Sequence, residues 1–366
     1  MTATMSDGPV AEATEYLLPP EAYRSPEWYA REQRELFAKT WNLVGYIDDV
    51  PRPGDWCTAQ IADEPVLLVH GHDGTIRAFL NMCRHRGMAV AEGSGCGAER
   101  IRCPYHGWEF GLDGALERIP QRGAQFPDVD AGELGLIPMG CGTWAGLIFA
   151  IPQPDAGPGF DEWLADYPTT EFSGDFPWDD VVEISRTRWE LACNWKLYVE
   201  NHIDCYHLWY LHEDSLAMYD HHALTQRSTG LHWACDEPER PSAEIRREGL
   251  PFIVGAGPAE ERTLRANLLF PNVPMTSSGQ LLMTYQVIPT GPESCILDLR
   301  IRALPGTVLG QDVLDGNRRV LYEEDGFACE QMQRVARSPR FAVGPLASVH
   351  ERPIMQFHEN ILRFLR

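Results

Sequence analysis

Two short loops constrain this chain more than anything else in it. Cys83-Arg84-His85-Arg86-Gly87 offers one thiol and one imidazole, and Cys103-Pro104-Tyr105-His106-Gly107-Trp108 offers another pair, with seventeen residues between His85 and Cys103. Two Cys on one iron and two His on the other hold a [2Fe–2S] cluster, and exchanging two thiolates for neutral imidazoles raises its potential. Structural zinc also takes two Cys and two His, but zinc fingers pair Cys with Cys and His with His. Here each loop carries one of each. Gly87 and Gly107 follow the two His, where a tight turn around a bulky inorganic group uses the conformational freedom of glycine. The order of ligands favours the iron–sulfur cluster over zinc.

The 366 residues suffice for two packed domains of ordinary size. A hydrophobic content of 44% with 23% charged residues reads as globular. The formal charge of −22 argues against nucleic acid or an anionic membrane as partner. Met1 to Pro20 contains no basic segment leading into an apolar run, so no secretory signal is expected. No apolar run approaches the roughly 18 residues of a membrane helix. A cytoplasmic location is the expectation, with the Cys outside the two loops reduced.

Residues 1–15 are small and polar, and an ordered beginning is not expected there. Ser25-Pro26-Glu27 reads as an N-cap with Pro at the first helical position, opening a helix over about 25–40. Short strands follow, among them Pro65–His70, Ile76–Asn81, Ile101–Cys103 and Gly146–Ile151, with Asp73-Gly74 and Asp113-Gly114 as hairpin turns. A small antiparallel β domain presenting the two loops is the natural reading. Residues 83–122 hold six Arg and five acidic residues, a surface suited to an acidic electron carrier. Five Pro between 152 and 180 suggest a linker. Arg227–Thr263 reads as loops over a substrate entrance, and Leu268–Pro271, Leu281–Pro289 and Ser294–Ala303 as strands.

A second constellation lies on a helix expected from about Asn194 to His212: Asn201, Asp204, His207 and His212. His207 and His212 are five apart and point about 140° from each other on a straight helix. They meet on one metal only if the helix ends or bends near Leu208–Leu211. Asp204, three residues before His207, is placed to orient that imidazole through its far nitrogen. A third ligand is sought downstream, on a helix expected over about Gln311 to Ala336. Leu321, Asp325, Ala328 and Met332 form one stripe there, so Asp325 is the acid turned inward, while Glu323 and Glu324 fall outside it and read as solvated. Two His and one carboxylate form the facial triad that leaves positions open on iron. His221-His222 competes by composition, but adjacent residues point apart, which makes the pair surface or pocket lining.

Taken together, the two constellations resemble those of the Rieske non-haem iron oxygenases, the family of aromatic ring-hydroxylating dioxygenase alpha subunits, from about Tyr23 to the C-terminal helix. The resemblance implies an α+β protein: an N-terminal helical segment (1–40) packing on the catalytic domain, an antiparallel β Rieske domain (41–151), and a helix-grip (START/Bet v 1-like) catalytic domain with an antiparallel sheet (152–366). It implies a Rieske cluster on Cys83, His85, Cys103 and His106, and mononuclear Fe(II) on His207, His212 and Asp325. Asn201 and Asp204 complete the catalytic set, and Asp204 bridges His106 of one subunit to His207 of its neighbour in a head-to-tail homotrimer.

A cluster that passes single electrons and an iron open to oxygen together make an oxygenase. No Gly-x-Gly-x-x-Gly follows a strand, so electrons from NAD(P)H are expected through a separate reductase or ferredoxin. Trp209, Tyr210, Tyr219 and Trp233 suggest an aromatic pocket for a ring or, by cation–π attraction, a quaternary amine. Hydroxylation of an aromatic or related small organic substrate is the leading expectation. Demethylation of a quaternary amine or methoxy compound is the alternative, and a pure Rieske electron carrier is the reading from another class.

Overall fold

The strand Glu64–His70 shows how the chain divides its interior. Val66, Leu67, Leu68 and Val69 are all essentially inaccessible, so both faces of the strand are covered. Alternate side chains point to opposite faces: Val66 and Leu68 join a core with Leu36, Trp195 and Leu297, while Leu67 and Val69 join a second core with Phe79, Trp108 and Phe110 around the cysteine loops. Burying each such side chain contributes about 1.5–3 kcal/mol, so this strand ties both halves together.

The computed structural model describes residues 17–165, 167, 181–241 and 263–366. The polar start, most of 166–180 and residues 242–262 of the expected entrance loops lie outside them. The strands are β1 Asn42–Tyr46, β2 Trp56–Ile61, β3 Glu64–His70, β4 Ile76–Leu80, β5 Ser94–Gly95, β6 Ile101–Arg102, β7 Glu109–Phe110, β8 Leu116–Arg118, β9 Pro138–Trp144 and β10 Leu147–Ile151. They continue with β11 Val182–Leu191, β12 Thr225–Thr229, β13 His232–Pro238, β14 Thr263–Leu269, β15 Val273–Ser277, β16 Leu282–Gly291 and β17 Ser294–Ala303. The α-helices are α1 Pro26–Glu35, α2 Arg122–Gln125, α3 Phe160–Ala165, α4 Trp195–Ile203, α5 Gln311–Arg318, α6 Asp325–Ala336 and α7 Arg352–Leu365.

An antiparallel sheet runs β1-β10-β9-β4-β3-β2-β5, beside a small sheet β6-β7-β8. A second seven-stranded antiparallel sheet runs β11-β17-β16-β15-β14-β13-β12. The expected hairpins are present: Asp73-Gly74 closes β3 on β4, with His70 opposite Ile76, and Asp113-Gly114 closes β7 on β8. Ser25 caps α1 by accepting from the Trp28 amide at 3.2 Å.

Helices α1, α4 and α7 share a buried polar core. Lys196 meets Glu32 at 2.6 Å with neither side chain exposed, and the Trp195 indole donates to the same carboxylate. Tyr23 donates to Glu200, which also meets His358 of α7. Arg302 of β17 contacts Asp48 at 2.6 Å, joining the segment after β1 to the second sheet. Part of the expected linker is packed structure: α3 buries Trp163 between Phe149 and His232.

Two helices depart from expectation. The helix expected to reach His212 stops at Ile203, where Asp204 leaves helical geometry. Tyr206 continues as a turn, and His207–Trp209 form a short 3-10 segment. The helix expected over 311–336 is interrupted by a π-helical turn, Arg319–Glu324, between α5 and α6.

Candidate metal centres

The Cys83 loop follows β4, and the Cys103 loop joins β6 to β7. Each closes with the same two hydrogen bonds. The Gly87 amide donates to the Cys83 carbonyl (2.9 Å) and the Cys83 amide to that of Met88 (2.7 Å); Gly107 donates to Cys103 (3.1 Å) and Cys103 to Trp108 (2.9 Å). Gly87 and Gly107 sit at φ +77° and +71°, the left-handed region where other residues are strained. The two glycines do what their positions in the sequence suggest.

Both cysteines are buried, whereas His85 is half-buried and His106 exposed. The two imidazole rings stand 4.5 Å apart, and His85 stacks on Trp108 at 5.0 Å. The donor set thus divides into a thiol pair inside and an imidazole pair outside, as a two-iron cluster with unlike ends requires. His85 Nδ1 is buried without a hydrogen-bond partner. Burial and the neighbouring His106 hold His85 below its ordinary pKa, which keeps it neutral and able to ligate. Burial pushes the Cys83 thiol up to about 11, so its thiolate form depends on a metal's charge. These residues fit the cluster.

The second set comes from three separate elements. Because α4 ends at Ile203, the chain turns and brings His207 and His212 together, with ring centroids 4.9 Å apart. Asp325 opens α6, is buried, and faces both: its Oδ1 lies 3.0 Å from His212 Nε2 and 3.7 Å from His207 Nε2. One donor atom from each lies within 4.8 Å of the others. Burial would raise the Asp325 carboxyl, but His212, His207 and Asn201 outweigh it and hold it below its ordinary range. Two imidazoles and a carboxylate converging on one point fit a facial-triad iron.

Each imidazole has a carboxylate behind it. Asp204 Oδ2 lies 3.4 Å from His207 Nδ1, in a turn rather than on a helical face. Glu324 Oε2 lies 2.8 Å from His212 Nδ1, accepts from Ser215 Oγ at 2.5 Å, and Arg319 Nε donates to its other oxygen at 2.8 Å. Burial works against a proton on His212, yet Asp325 and Glu324 together hold it above its ordinary pKa. Glu324 was expected in solvent; its side chain is only 16% exposed. The π-helical turn explains the change, because residues five apart stack in it. Arg318 meets Glu323 and Arg319 meets Glu324, each at 2.8 Å and five positions on. Glu323 stays exposed. The carbonyl of Leu321, inside the turn, accepts from the Tyr198 hydroxyl at 2.8 Å.

The buried stripe beyond Asp325 is Cys329, Gln333 and Ala336, not Ala328 and Met332; Met332 is 42% exposed. His221 is buried against Glu237 and His222 is exposed, so His221 is neither surface nor lining. Of the four aromatic residues expected to form the pocket, Trp233 and Tyr219 line it. Trp209 instead packs on His221 and His350, and Tyr210 is 76% exposed.

The triad opens on a cavity of about 350 Å³, walled by Leu208, Met218, Trp233, Leu281, Met283 and Tyr285 among others, with Asn201 and Asp204 at its edge. Its size and apolar character suit a small organic molecule. His202 of α4 hydrogen-bonds the Asn267 carbonyl (2.9 Å) and the Tyr285 hydroxyl (3.1 Å), and burial holds its pKa down to about 4. His202 has no role in the sequence reading, and Glu324 is weighed there only as a ligand candidate and read as solvated. A π-helical turn has no composition signature, and His202 looks like any helix histidine.

The family description "Rieske [2Fe-2S] domain" matches residues 40–132, and "Ring hydroxylating alpha subunit (catalytic domain)" matches residues 178–366. The oxygenase subunit of glycine betaine monooxygenase from Chromohalobacter salexigens is 27% identical over 94% of this chain and 84% of its own length. The alpha subunit of chlorobenzene dioxygenase from a Cupriavidus species is 34% identical over 51% of this chain and 42% of its own. Among solved structures, a quaternary ammonium Rieske monooxygenase, described for carnitine oxidation by gut microbiota and inter-subunit electron transfer, superposes with a TM-score of 0.82. It covers 97% of this chain and 96% of its own at 21% identity. Among the described residues, no helix is long and apolar enough to cross a membrane. With a Rieske domain ahead of a catalytic domain that spans half its length, the chain belongs to the ring-hydroxylating alpha-subunit family of Rieske oxygenases, enzymes that carry a [2Fe–2S] cluster and a mononuclear iron.

Proposed function

We propose that this oxygenase acts on a small quaternary ammonium compound, with Cys83, His85, Cys103 and His106 holding the cluster and His207, His212 and Asp325 holding Fe(II). The observation that carries the assignment of residues is the convergence of three donor atoms within 4.8 Å at the wall of an apolar cavity. A facial-triad iron supplies open positions for oxygen beside the substrate. The chain's own residues supply the rest. Glu324 orients His212 through its outward nitrogen, Asp204 faces the outward nitrogen of His207 at 3.4 Å, Asn201 steadies Asp325, and the cavity walls exclude water from the reacting atoms.

The substrate class follows a relative that matches nearly the whole chain, the glycine betaine monooxygenase. Hydroxylation of an aromatic ring, the leading expectation from the sequence, stands second; the chlorobenzene dioxygenase match, 34% identical, covers about half the chain. Electrons enter from a reductase or ferredoxin. They pass to a neighbouring subunit in a head-to-tail trimer, through His106 of one chain and Asp204 of the next. Exposure of His106, and of Tyr206 and Tyr210 close to Asp204, supports that contact.

The test is a single turnover. Protein reduced chemically, without reductase, meets oxygen and a panel of choline, glycine betaine, carnitine, methoxybenzoates and chlorobenzene, with products read by mass spectrometry. An oxidised or demethylated ammonium product is expected. A ring diol with no ammonium product would move the assignment to the aromatic reading.

A further inference from the structure

Strand β13 turns Trp233, Cys235 and Glu237 toward the cavity, at alternate positions as a strand must. Opposite them, β14 sets Ala266 against Cys235 and Leu264 against Glu237. A carboxylate is out of character in that apolar row. Glu237 is 5% exposed and His221, whose Nδ1 hydrogen-bonds its Oε1, is 3% exposed. Withdrawing a carboxylate from water to this extent is costly and calls for partners, of which the His221 imidazole is one. Among the described residues that line the cavity there is no Lys and no Arg. The cavity offers instead the rings of Trp233, Tyr219 and Tyr285, whose faces attract cations. A neutral substrate would leave this carboxylate with His221 as its partner, and a cation would bring it an opposite charge from the cavity side.

We propose that Glu237, held by His221, is the specificity-determining group that recognises the positive charge of the substrate. The inference rests on the oxygenase reading above and deepens it. A quaternary ammonium centre has no hydrogen to donate, so its recognition must come from an opposite charge at contact distance and from ring faces. The β13 row carries both on one wall of the cavity, with Cys235 between Trp233 and Glu237. His221, packed against Trp209 with ring centroids 5.7 Å apart, fixes the direction of the carboxylate. Glu237 takes no part in the chemistry at the iron.

The test uses the iron-loaded oxygenase, reduced and anaerobic, so that binding is read without turnover. Choline, tetramethylammonium and 3,3-dimethylbutan-1-ol are titrated calorimetrically; the last replaces the trimethylammonium group of choline by a neutral tert-butyl group of the same shape. Wild type is expected to bind the two cations about tenfold or more tighter than the neutral isostere, on the scale of a partly desolvated charge pair. Glu237→Gln keeps the side chain's shape and is expected to bring the ratio near one, with iron content and cluster absorption unchanged. Glu237→Asp is expected to keep part of the preference. Equal binding of cation and isostere by wild type overturns the proposal, as does binding of neither, or an undiminished preference in Glu237→Gln. The wild-type comparison stands even if a variant folds poorly. The same preparation is tested in the single-turnover assay. Oxidation of ammonium and neutral compounds alike sinks the role of Glu237 alone, and a ring diol with no ammonium product sinks the quaternary ammonium reading on which it rests.

Discussion

Glu324 and Asp325, neighbours in sequence, take opposite nitrogens of one ring: Glu324 Oε2 lies 2.8 Å from His212 Nδ1, and Asp325 Oδ1 lies 3.0 Å from His212 Nε2. The π-helical turn ends between them. It lets Glu324 lean on Arg319 and Ser215 while Asp325 is buried at the head of α6. The His212 ring is thereby fixed in its plane, with Nε2 facing the point where His207 and Asp325 converge.

Removing the supporting carboxylate without changing its shape isolates its role. Glu324→Gln is expected to lower affinity for the mononuclear iron by about 10–100-fold and to leave the cluster's visible absorption unchanged. Metal content after dialysis against graded chelator measures this. Unchanged retention would show that His212 needs no such support.

Asp204 stands behind the other imidazole and is the bridge between subunits in the function proposed above. Asp204→Asn is expected to keep both metal centres and to lower turnover with reductase by about 100-fold or more. Full activity in that variant, measured as oxygen consumption coupled to product, would end the bridging role.

His202 gives the fold an acid-side weakness. Its pKa is held down to about 4 by burial, against about 6.5 in an unfolded chain. Below the unfolded value only the unfolded chain takes the proton, so stability is lost as pH falls from about 6.5 towards 4, by up to about 3 kcal/mol. Above that window the group makes no difference. Thermal unfolding of wild type and His202→Gln across this range is expected to show the shallower pH dependence in the variant; parallel curves would contradict the assignment.

Much of this architecture is legible in the residues themselves. Cys83, His85, Cys103 and His106 announce themselves because a cluster needs two thiols and two imidazoles on tight turns, and glycine follows each imidazole. Asp325 shows itself as an acid in an apolar stripe, although the stripe runs on through Cys329 and Gln333 rather than Ala328 and Met332. Hidden from sequence are the features that depend on a break in helical periodicity. Ile203 ends α4 without Gly or Pro, and no residue type marks the π-helical turn that swings Glu324 inward. Glu237 was equally hidden, because it stands beside Asp236 and Glu239 in a stretch that reads as entrance loops, whereas the structure makes it strand β13 and turns Glu237 toward the cavity.

The most direct test of the central claim, two metal centres in one chain, is the iron and acid-labile sulfide content of wild type beside Asp325→Ala. Wild type is expected to hold two irons in the cluster and one at the triad, with two sulfides. The variant is expected to lose one iron while cluster absorption and sulfide stay as they were. Wild type with only the cluster's irons, or a variant that keeps all three, would contradict the assignment of His207, His212 and Asp325 as the second centre.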